Sequence, residues 1–345
     1  MKKFLLRVSL FALYALSISV ILPIWIDPFN VFHWENIRAN GVEPNKNYIK
    51  MKYILSNPDK FDSFVFGSSR VDAIHADKIQ GEKCYNMTYS VGVPNWHLLN
   101  IKTLLANNII PKRVYIGVDS IQYTTVYEHH VIEPLRCPYE YLADDSWHFY
   151  SLYLNPTMVF KSIGATLDVW SGKTEPIDTE VFYKYGGGYR YGRKKIFNWN
   201  DKGKVFPSIG GLGMNNIDAE LDILRKIIDV CRENGIDLVF FTNPMHKVTY
   251  LASVRKKDYF RYLEGLAEIS DFWNFSSLND ITIDNSNYFD TSHYDAEVGD
   301  LIIDIMCNGK LYPKLQAQGF GVKVTRENAK DFIAMLRKQA EDFKE

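Results

Sequence analysis

Short apolar runs alternate with stretches of helical spacing in two parts of the chain, residues 61–119 and 214–310. Each run ends near a glycine or a polar residue, and the following stretch repeats apolar side chains every three or four positions. This alternation is typical of a parallel sheet with crossover helices. The pattern therefore predicts an α/β fold with a sheet of about five strands. The predicted strands are Phe61–Phe66, Cys84–Met87, Val114–Val118, Leu238–Thr242 and Phe272–Phe275.

The helical stretches carry their apolar residues on one face. Ile217–Asn234 is the clearest case, and Gly235 directly after it is a typical helix C-cap. The C-terminal segment 311–345 also contains a charged, partly amphipathic helix. The predicted helices are Pro94–Asn107, Ile217–Asn234, 247–269, Glu297–Met306 and Arg326–Phe343.

The amino terminus has the pattern of a membrane anchor. Val8–Ile26 is a run of 19 residues without charge, which as a helix spans about 28 Å, close to the thickness of a bilayer core. Basic residues within 1–7 precede the run, which predicts a cytoplasmic stub and a main domain outside the cytoplasm, periplasmic or on the outer face. The alternative is a cleavable signal peptide, which would need small residues at a cleavage site. The run ends in bulky residues instead, which favours an uncleaved signal anchor.

Two segments lack the alternating pattern. Residues 27–60 are polar and are predicted to form a linker from the anchor to the domain. Residues 120–213 are rich in aromatic residues and glycine and are predicted to be an insertion or lid, with a short helix near 155–170. The aromatic rings of this insertion suit the stacking of sugar rings, and they equally suit the packing of an irregular lid.

Composition excludes several classes of protein. Hydrophobic residues make up 46% and charged residues 23% of the 345 residues, which excludes wholesale disorder. The formal net charge of −1 leaves no basic excess for a nucleic-acid partner. The four cysteines form no Cys-x-x-Cys pair, which excludes a zinc ribbon and a thioredoxin-type site. An oxidising compartment would permit disulfides among them, and the sequence does not give their connectivity.

The candidate chemistry lies where strands end, because open parallel sheets bind ligands at the carboxyl ends of their strands. Ser69 follows the first predicted strand and is a candidate nucleophile. A serine hydroxyl needs a base to take its proton, and His293 is the natural base. Asp290, three residues earlier, can hold the imidazole tautomer and stabilise the imidazolium.

At these residues the chain resembles the SGNH, or GDSL-type, hydrolase superfamily. The matching blocks are residues 65–70 (VFGSSR) and 288–294 (YFDTSHY). With its anchor, the chain is similar to the membrane-anchored extracytoplasmic branch that includes the D-alanine transfer protein of teichoic-acid modification and the alginate acetylation proteins. The resemblance implies a three-layer, flavodoxin-like parallel sheet with helices on both faces. It also implies a catalytic Ser69–Asp290–His293 triad and an oxyanion hole formed by Ser69 and Gly92.

One residue departs from the family pattern. Asp119 stands where the family places an oxyanion-hole asparagine, and losing one such donor typically lowers the rate about 100- to 1,000-fold. In one interpretation, Arg70 pairs with Asp119 and turns the charge away, so that the backbone N–H groups of Ser69 and Gly92 form the hole alone. In the other, the site is catalytically crippled.

Other candidates carry weaker signals. Asn243 and His246 follow the fourth predicted strand and could line the site, although a solvated loop histidine has the same pattern. His129, His130 and Glu133 give only partial metal spacing, so no metal is predicted. Residues 210–213 (GGLG) lack a preceding strand and a Gly-Lys-Ser/Thr ending, so no phosphate-bound cofactor is predicted.

Two functions compete at this point. The first is a membrane-anchored serine esterase or O-acyltransferase acting on acyl esters of cell-envelope glycans, with an acylated carbohydrate as partner. The second is a catalytically inactive SGNH-fold binding or assembly protein of an envelope polysaccharide pathway, which Asp119 favours. A weaker third interpretation is a scaffold that needs a multi-pass acyl-transfer partner to supply its acyl group.

Overall fold

The computed structural model describes residues 1–37, 42–125, 127–172, 179–187 and 216–344. Over these residues the strands are β1 (Ser63–Phe66), β2 (Cys84–Asn86), β3 (Arg113–Val118), β4 (Asp237–Thr242), β5 (Phe272–Asn274) and β6 (Val322–Val324). The α-helices are α1 (Lys2–Ile26), α2 (Lys46–Leu55), α3 (Pro94–Ala106), α4 (Tyr139–Asp144), α5 (Ser146–Ser151), α6 (Pro156–Trp170), α7 (Thr179–Tyr185), α8 (Ile217–Glu233), α9 (Lys247–Lys256), α10 (Tyr259–Ile269), α11 (Ala296–Met306), α12 (Pro313–Ala317) and α13 (Ala329–Asp342). Short 3₁₀ helices cover Ser69–Ala73, Ala76–Lys78, Gln122–Thr124, Tyr127–Ile132 and Asn285–Asn287.

The chain divides into two compact units. The first consists of residues 1–56 and 128–179, and the second of residues 57–127 and 180–345. The second unit is built on one six-stranded sheet with the strand order β2-β1-β3-β4-β5-β6. Neighbouring strands from β2 to β5 are parallel, and β6 pairs with β5 in the antiparallel direction. The second unit is therefore an α/β fold with a mostly parallel sheet flanked by helices, as the alternating pattern predicted.

The register of the central strands decides which loops meet. Val65 in β1 lies beside Tyr115 in β3, and Tyr115 lies beside Val239 in β4. All four residues of β1 are buried, as expected for a strand covered on both faces. Because the strands are parallel, the chain leaves β1, β3 and β4 at the same edge of the sheet. The segments after Phe66, Val118 and Thr242 are thereby brought together.

Five strands agree with the predicted ones to within two residues at each end, and one strand was not predicted. That strand, β6, has three residues and carries Lys323 between two valines, which is too short a run for its alternation to stand out from a loop. The helix predicted over 247–269 is instead two helices, α9 and α10. Asp258 separates them with a left-handed φ of 49°, although neither glycine nor proline marks the break.

In the first unit, α1 begins earlier than the predicted run and ends with it at Ile26. Among the described residues it is the one helix long and apolar enough to cross a membrane. The hydroxyls of Ser17 and Ser19 donate to the carbonyls of Leu13 and Ala15, so the helix itself satisfies them. Directly after α1, the Asp27 carboxylate accepts from the backbone N–H groups of Val31, Phe32 and His33 and holds the turn in place.

The segment predicted as a linker contains a buried helix. In α2, eight of ten residues are buried, among them Lys46 and Lys50. The lysines gave this segment its polar pattern, although a lysine can bury its aliphatic stem. Before α2, the Asn45 side chain donates to the Cys137 carbonyl and the Tyr153 hydroxyl. The linker prediction is thus wrong for the α2 residues, which belong to a packed unit.

The predicted insertion is only partly described. Its residues 128–172 belong to the first unit, and the short helix expected near 155–170 is α6. Residues 173–178 and 188–215, including the glycine-rich 210–213, lie outside the described residues.

All four cysteines are free thiols, and burial raises the pKa of Cys137 and Cys231 to about 12.

A glycine in α11 sets how closely that helix approaches the 3₁₀ helix after β1. A Cβ on Gly299 would overlap the carbonyl oxygen of Ala73, which is backbone and cannot turn aside. We expect Gly299→Ala to lower the free energy of unfolding by about 1–3 kcal/mol, as overpacking does. The matched control is Gly265→Ala in α10, where the added methyl meets only the end of the flexible Leu221 side chain. Thermal unfolding of the full chain tests the pair, and equal losses in both variants would contradict the prediction.

Candidate active site

The turn after β1 presents Ser69 at the carboxyl edge of the sheet. Gly67 has a φ of 157°, and a Cβ there would lie 2.5 Å from Cγ2 of Val71 and 3.2 Å from the Gly117 carbonyl oxygen. Only glycine allows so close an approach between the turn and its neighbours. Ser68 is the N-cap of the short helix that begins at Ser69, because its Oγ accepts from the Arg70 N–H at 3.4 Å. Ser69 is therefore held on a short, tight turn with its side chain only half-buried.

The structure brings together the serine, histidine and aspartate that the sequence singled out. Oγ of Ser69 lies 2.9 Å from Nε2 of His293, and Nδ1 of His293 lies 2.8 Å from Oδ2 of Asp290. With Asp290 ionised and the His293 ring neutral, Nδ1 carries the proton and Nε2 presents its lone pair to the serine hydroxyl. The arrangement can therefore take a proton from Ser69 and hold the resulting imidazolium beside a carboxylate.

Backbone groups hold the Asp290 carboxylate in this orientation. Its Oδ1 accepts from the N–H groups of Ser292 at 2.7 Å and His293 at 2.8 Å. The loop itself is closed by an antiparallel bridge between Tyr288 and Tyr294. The two tyrosine hydroxyls fasten the loop to the end of β4, since they donate to the Pro244 carbonyl at 3.1 Å and to Oδ1 of Asn243 at 3.2 Å. Burial raises the pKa of both tyrosines, so they remain neutral donors.

The ion pair expected between Arg70 and Asp119 is present. Nη1 of Arg70 lies 2.6 Å from Oδ1 of Asp119, and the two side chains are 3% and 0% exposed. Both oxygens of the Asp119 carboxylate also accept hydrogen bonds. Oδ2 accepts from Nδ2 of Asn243 at 3.0 Å and from Oγ of Ser68 at 3.3 Å, and Oδ1 accepts from the Ile121 N–H at 2.8 Å. The Asp119 charge is thus compensated within the protein.

Arg70 also contacts the loop that carries His293. Its Nε donates to the carbonyl oxygen of Ser292 at 3.2 Å and to the Ser292 hydroxyl at 3.1 Å. Ser68, Ser292 and Tyr294 are members of this network that the sequence did not single out. Ser68 and Ser292 are direct neighbours of the candidate nucleophile and base, and that adjacency is the one signal that could have identified them.

Gly92 lies against the turn that carries Ser69. A Cβ on Gly92 would overlap the carbonyl oxygen of Gly67, so glycine is required for this contact. The Gly92 N–H donates to the Tyr89 carbonyl at 3.2 Å. The preceding Val91 has a φ of 58°, a genuine outlier for a β-branched residue, and such strain often marks a functional turn. The oxyanion-hole role of Gly92 stays a prediction, and a substrate oxygen would compete with the Tyr89 carbonyl for its N–H.

His246 is not a solvated loop histidine. It is fully buried, and its Nδ1 accepts from the Val248 N–H at 3.4 Å, which makes it the N-cap of α9. Its Nε2 lies 3.0 Å from Oδ1 of Asn285, and its ring packs edge-on against Tyr288 at 5.1 Å. Burial lowers the pKa of His246, so it supports the His293 loop as a neutral ring. Asn243, by contrast, belongs to the network around Asp119.

The other histidines singled out by the sequence have different surroundings. His130 is 2% exposed, and burial lowers its pKa to about 3. Glu133 forms an ion pair with Arg136. Within the described parts of the chain, no group of three or more His, Cys, Asp and Glu side chains is arranged to hold a metal ion.

The Arg70–Asp119 pair can be tested by its contribution to stability. Removing one partner of a buried ion pair typically costs about 3–5 kcal/mol, because the other charge is left uncompensated. We expect Arg70→Met to lower the free energy of unfolding by that amount. The double variant Arg70→Met/Asp119→Asn removes both charges and is expected to recover much of the loss. Denaturant unfolding followed by near-ultraviolet circular dichroism measures both, and a double variant no more stable than Arg70→Met would contradict the prediction.

A buried carboxyl in α8 gives a pH-dependent test. Burial, and secondarily the charge of Asp119, raises the pKa of Glu220 from 4.5 to about 8. The folded chain therefore binds this proton more tightly than the unfolded chain, and the resulting stability is lost as the pH rises from about 4.5 to about 8. We expect Glu220→Gln to lose less stability than the unsubstituted chain over this range, by at most about 1.4 kcal/mol per pH unit. The exposed Glu268→Gln variant is the control. The free energy of unfolding is measured against pH for each protein, and a Glu220→Gln curve that stays parallel to that of the unsubstituted chain would contradict the prediction.

Comparison with protein-family models and with curated proteins gives no match to this chain. The chemistry open to the site follows from its own geometry. That geometry is a half-buried serine hydroxyl 2.9 Å from an imidazole nitrogen whose ring is oriented by a carboxylate.

Proposed function

We propose that the protein is a membrane-anchored, extracytoplasmic serine esterase or O-acyltransferase that acts on acyl esters of cell-envelope glycans. The observation that carries the proposal is the 2.9 Å contact between Oγ of Ser69 and Nε2 of His293, with Asp290 on the other ring nitrogen. Nucleophile, base and orienting carboxylate within hydrogen-bond distance are the signature of nucleophilic acyl transfer.

The sheet supports an SGNH-type fold. The order β2-β1-β3-β4-β5 matches that of flavodoxin-like sheets, in which ligands bind at the carboxyl ends of the strands beside the switch between β1 and β3. Ser69 follows β1 and Asp119 follows β3, so both lie at that switch. The antiparallel β6 is an addition at the far edge and leaves the β1–β3 switch unchanged.

The proposed reaction has two halves. Oγ of Ser69 attacks the ester carbonyl carbon while its proton moves to Nε2 of His293. The tetrahedral intermediate collapses, the ester C–O bond breaks, and the departing alkoxide takes the proton from His293. The acyl group is then bonded to Ser69. Water or a sugar hydroxyl, deprotonated by His293, attacks the acyl-serine and releases the free acid or the acylated sugar, with Ser69 restored.

The oxyanion of the tetrahedral intermediate would be bound by the backbone N–H groups of Ser69 and Gly92. Asp119 cannot donate a hydrogen bond in its ionised form, and its oxygens are engaged by Arg70, Asn243 and Ser68. The pairing keeps a negative charge from opposing the developing oxyanion. We expect the reaction to be about 100- to 1,000-fold slower with this oxyanion hole than with a hole that has an additional side-chain donor.

The anchor supports a substrate at the membrane. We propose that α1 crosses the bilayer once, with the basic residues of segment 1–7 in the cytoplasm and the units that follow outside. An anchored enzyme would act on a glycan tethered at the membrane, or on an acyl group delivered by a multi-pass membrane partner. The choice between water and a sugar hydroxyl as acceptor decides between esterase and transferase.

The competing function is an inactive binding or assembly protein on the same fold. Asp119 favours it, because the position carries a carboxylate in place of a hydrogen-bond donor. The 2.9 Å contact between Ser69 and His293 favours the enzyme, because a binding protein does not need a base on its serine.

Covalent labelling separates the two functions. We expect the full chain in detergent to form one adduct with a fluorophosphonate probe, because His293 activates the Ser69 hydroxyl. Ser69→Ala is expected to abolish the adduct. His293→Ala is expected to slow labelling by about 1,000-fold or more, as loss of a triad member does.

The control is Ser292→Ala, which removes a neighbouring hydroxyl but leaves the base and its carboxylate in place. It should keep the single adduct on Ser69. Absence of labelling in the unsubstituted chain, with circular dichroism showing a folded protein, would contradict the enzymatic proposal and favour the binding function.

A further inference from the structure

The α6 helix has an exposed apolar stripe. Phe160, Ile163, Leu167 and Trp170 are 75%, 45%, 55% and 80% exposed. Their spacing of three and four residues places them on one face of the helix. Four large apolar side chains in a row on one exposed face are unlike the single exposed apolar residues normal on soluble proteins.

The other sides of α6 are those of an ordinary packed helix. Met158, Ser162 and Ala165 are buried within the first unit. The charged Lys161 and Asp168 lie together about a third of a turn away from the stripe, at about 100° per residue. Nζ of Lys161 lies 5.0 Å from the centre of the Phe29 ring, which holds this charge on the side away from the stripe. Apart from Val169 near its carboxyl end, which is 41% exposed, the helix thus has separate packed, charged and exposed apolar sides.

The helix that carries the stripe lies beside the anchor helix. Helices α6 and α1 pack against each other. Residues 2–17 of α1 are exposed on all sides, whereas Ile18, Leu22 and Pro23 are partly or fully buried. Helix α6 therefore lies beside the carboxyl-terminal half of α1, the half nearest the folded units in sequence.

We propose that α6 is a second membrane-contacting helix, with its exposed stripe among the acyl chains of the bilayer that α1 spans. The inference rests on the proposed anchoring of α1. A helix packed beside the carboxyl-terminal half of a bilayer-spanning α1 lies at the depth of the acyl chains. Lipid is therefore the partner that its apolar stripe contacts. The 15 residues of α6 measure about 22 Å, less than a bilayer core of about 30 Å, so α6 enters one leaflet without crossing.

A tryptophan near the end of the anchor fits this placement. Trp25, the last residue but one of α1, is 71% exposed. Tryptophan is enriched at the level of the lipid headgroups, where its ring is partly buried and its N–H is hydrated. Two membrane contacts would fix the orientation of the first unit at the membrane, which a single helix followed by a flexible linker could not do.

Site-directed fluorescence on the full chain in phosphatidylcholine nanodiscs tests the inference. Single cysteines at Phe160 or Leu167 carry an NBD label in a Cys307→Ser background, where the remaining native cysteines are buried. Lys161→Cys is the matched control on the charged side of the same helix, and Leu13→Cys reports on the anchor. We expect labels at 160 and 167 to be quenched by nitroxide-labelled lipid and shielded from iodide to the same degree as the label at 13. The label at 161 is expected to show the reverse.

Each other outcome has a definite meaning. Lipid quenching at 13 without quenching at 160 and 167 would overturn the inference and leave the anchor in place. Shielding of 160 and 167 from both quenchers would also overturn it, because protein, such as a second copy of the chain, would then cover the stripe. Absence of lipid quenching at 13 would contradict the anchoring itself, and the inference would fail with it.

Discussion

The buried ion pair between Arg70 and Asp119 is the interaction on which the rest of the candidate site depends. Through it, the turn after β1, the end of β3 and the loop that carries His293 share one side chain, since Arg70 also contacts Ser292. A buried charge must be compensated. A shift of any one of these segments would separate Arg70 from Asp119 or from Ser292 and would leave a buried charge without its partner, at a large electrostatic cost. The distance between Ser69 and His293 is maintained by groups that do not take part in the proposed proton transfer.

This arrangement gives a physical role to Asp119, the residue at which the chain departs from the pattern of the family it resembles. A carboxylate at position 119 would be harmful beside a developing oxyanion if it were unpaired. With Arg70 beside it, the same carboxylate serves as the acceptor at the centre of a polar cluster that includes Asn243 and Ser68. The side chain at position 119 thus stabilises the polar cluster and donates no hydrogen bond to an oxyanion. In the proposed mechanism, backbone N–H groups bind the oxyanion instead.

The first unit has features that would fix its position at a membrane if α1 is the proposed anchor. Helix α2 and the residues after α1 are packed and capped, with Asp27 holding the first turn through three backbone N–H groups. A stiff connection of this kind, together with the proposed contact of α6 with lipid, would keep the first unit at a defined depth.

The sequence by itself determined the apolar amino-terminal helix, five of the six described strands and the residues Ser69, Asp290 and His293, because hydrophobic periodicity and short motifs are local properties. It also offered the Arg70–Asp119 pair as one of two interpretations of Asp119, since parallel strands bring their carboxyl ends together. Only the tertiary structure decided the roles of Ser292, Tyr294 and the buried His246, whose partners lie far away in sequence. Helix α2 and the break at Asp258 were likewise hidden, because a buried lysine looks polar in a sequence and a left-handed aspartate has no local signature. Distant packing fixes both, and periodicity cannot detect it.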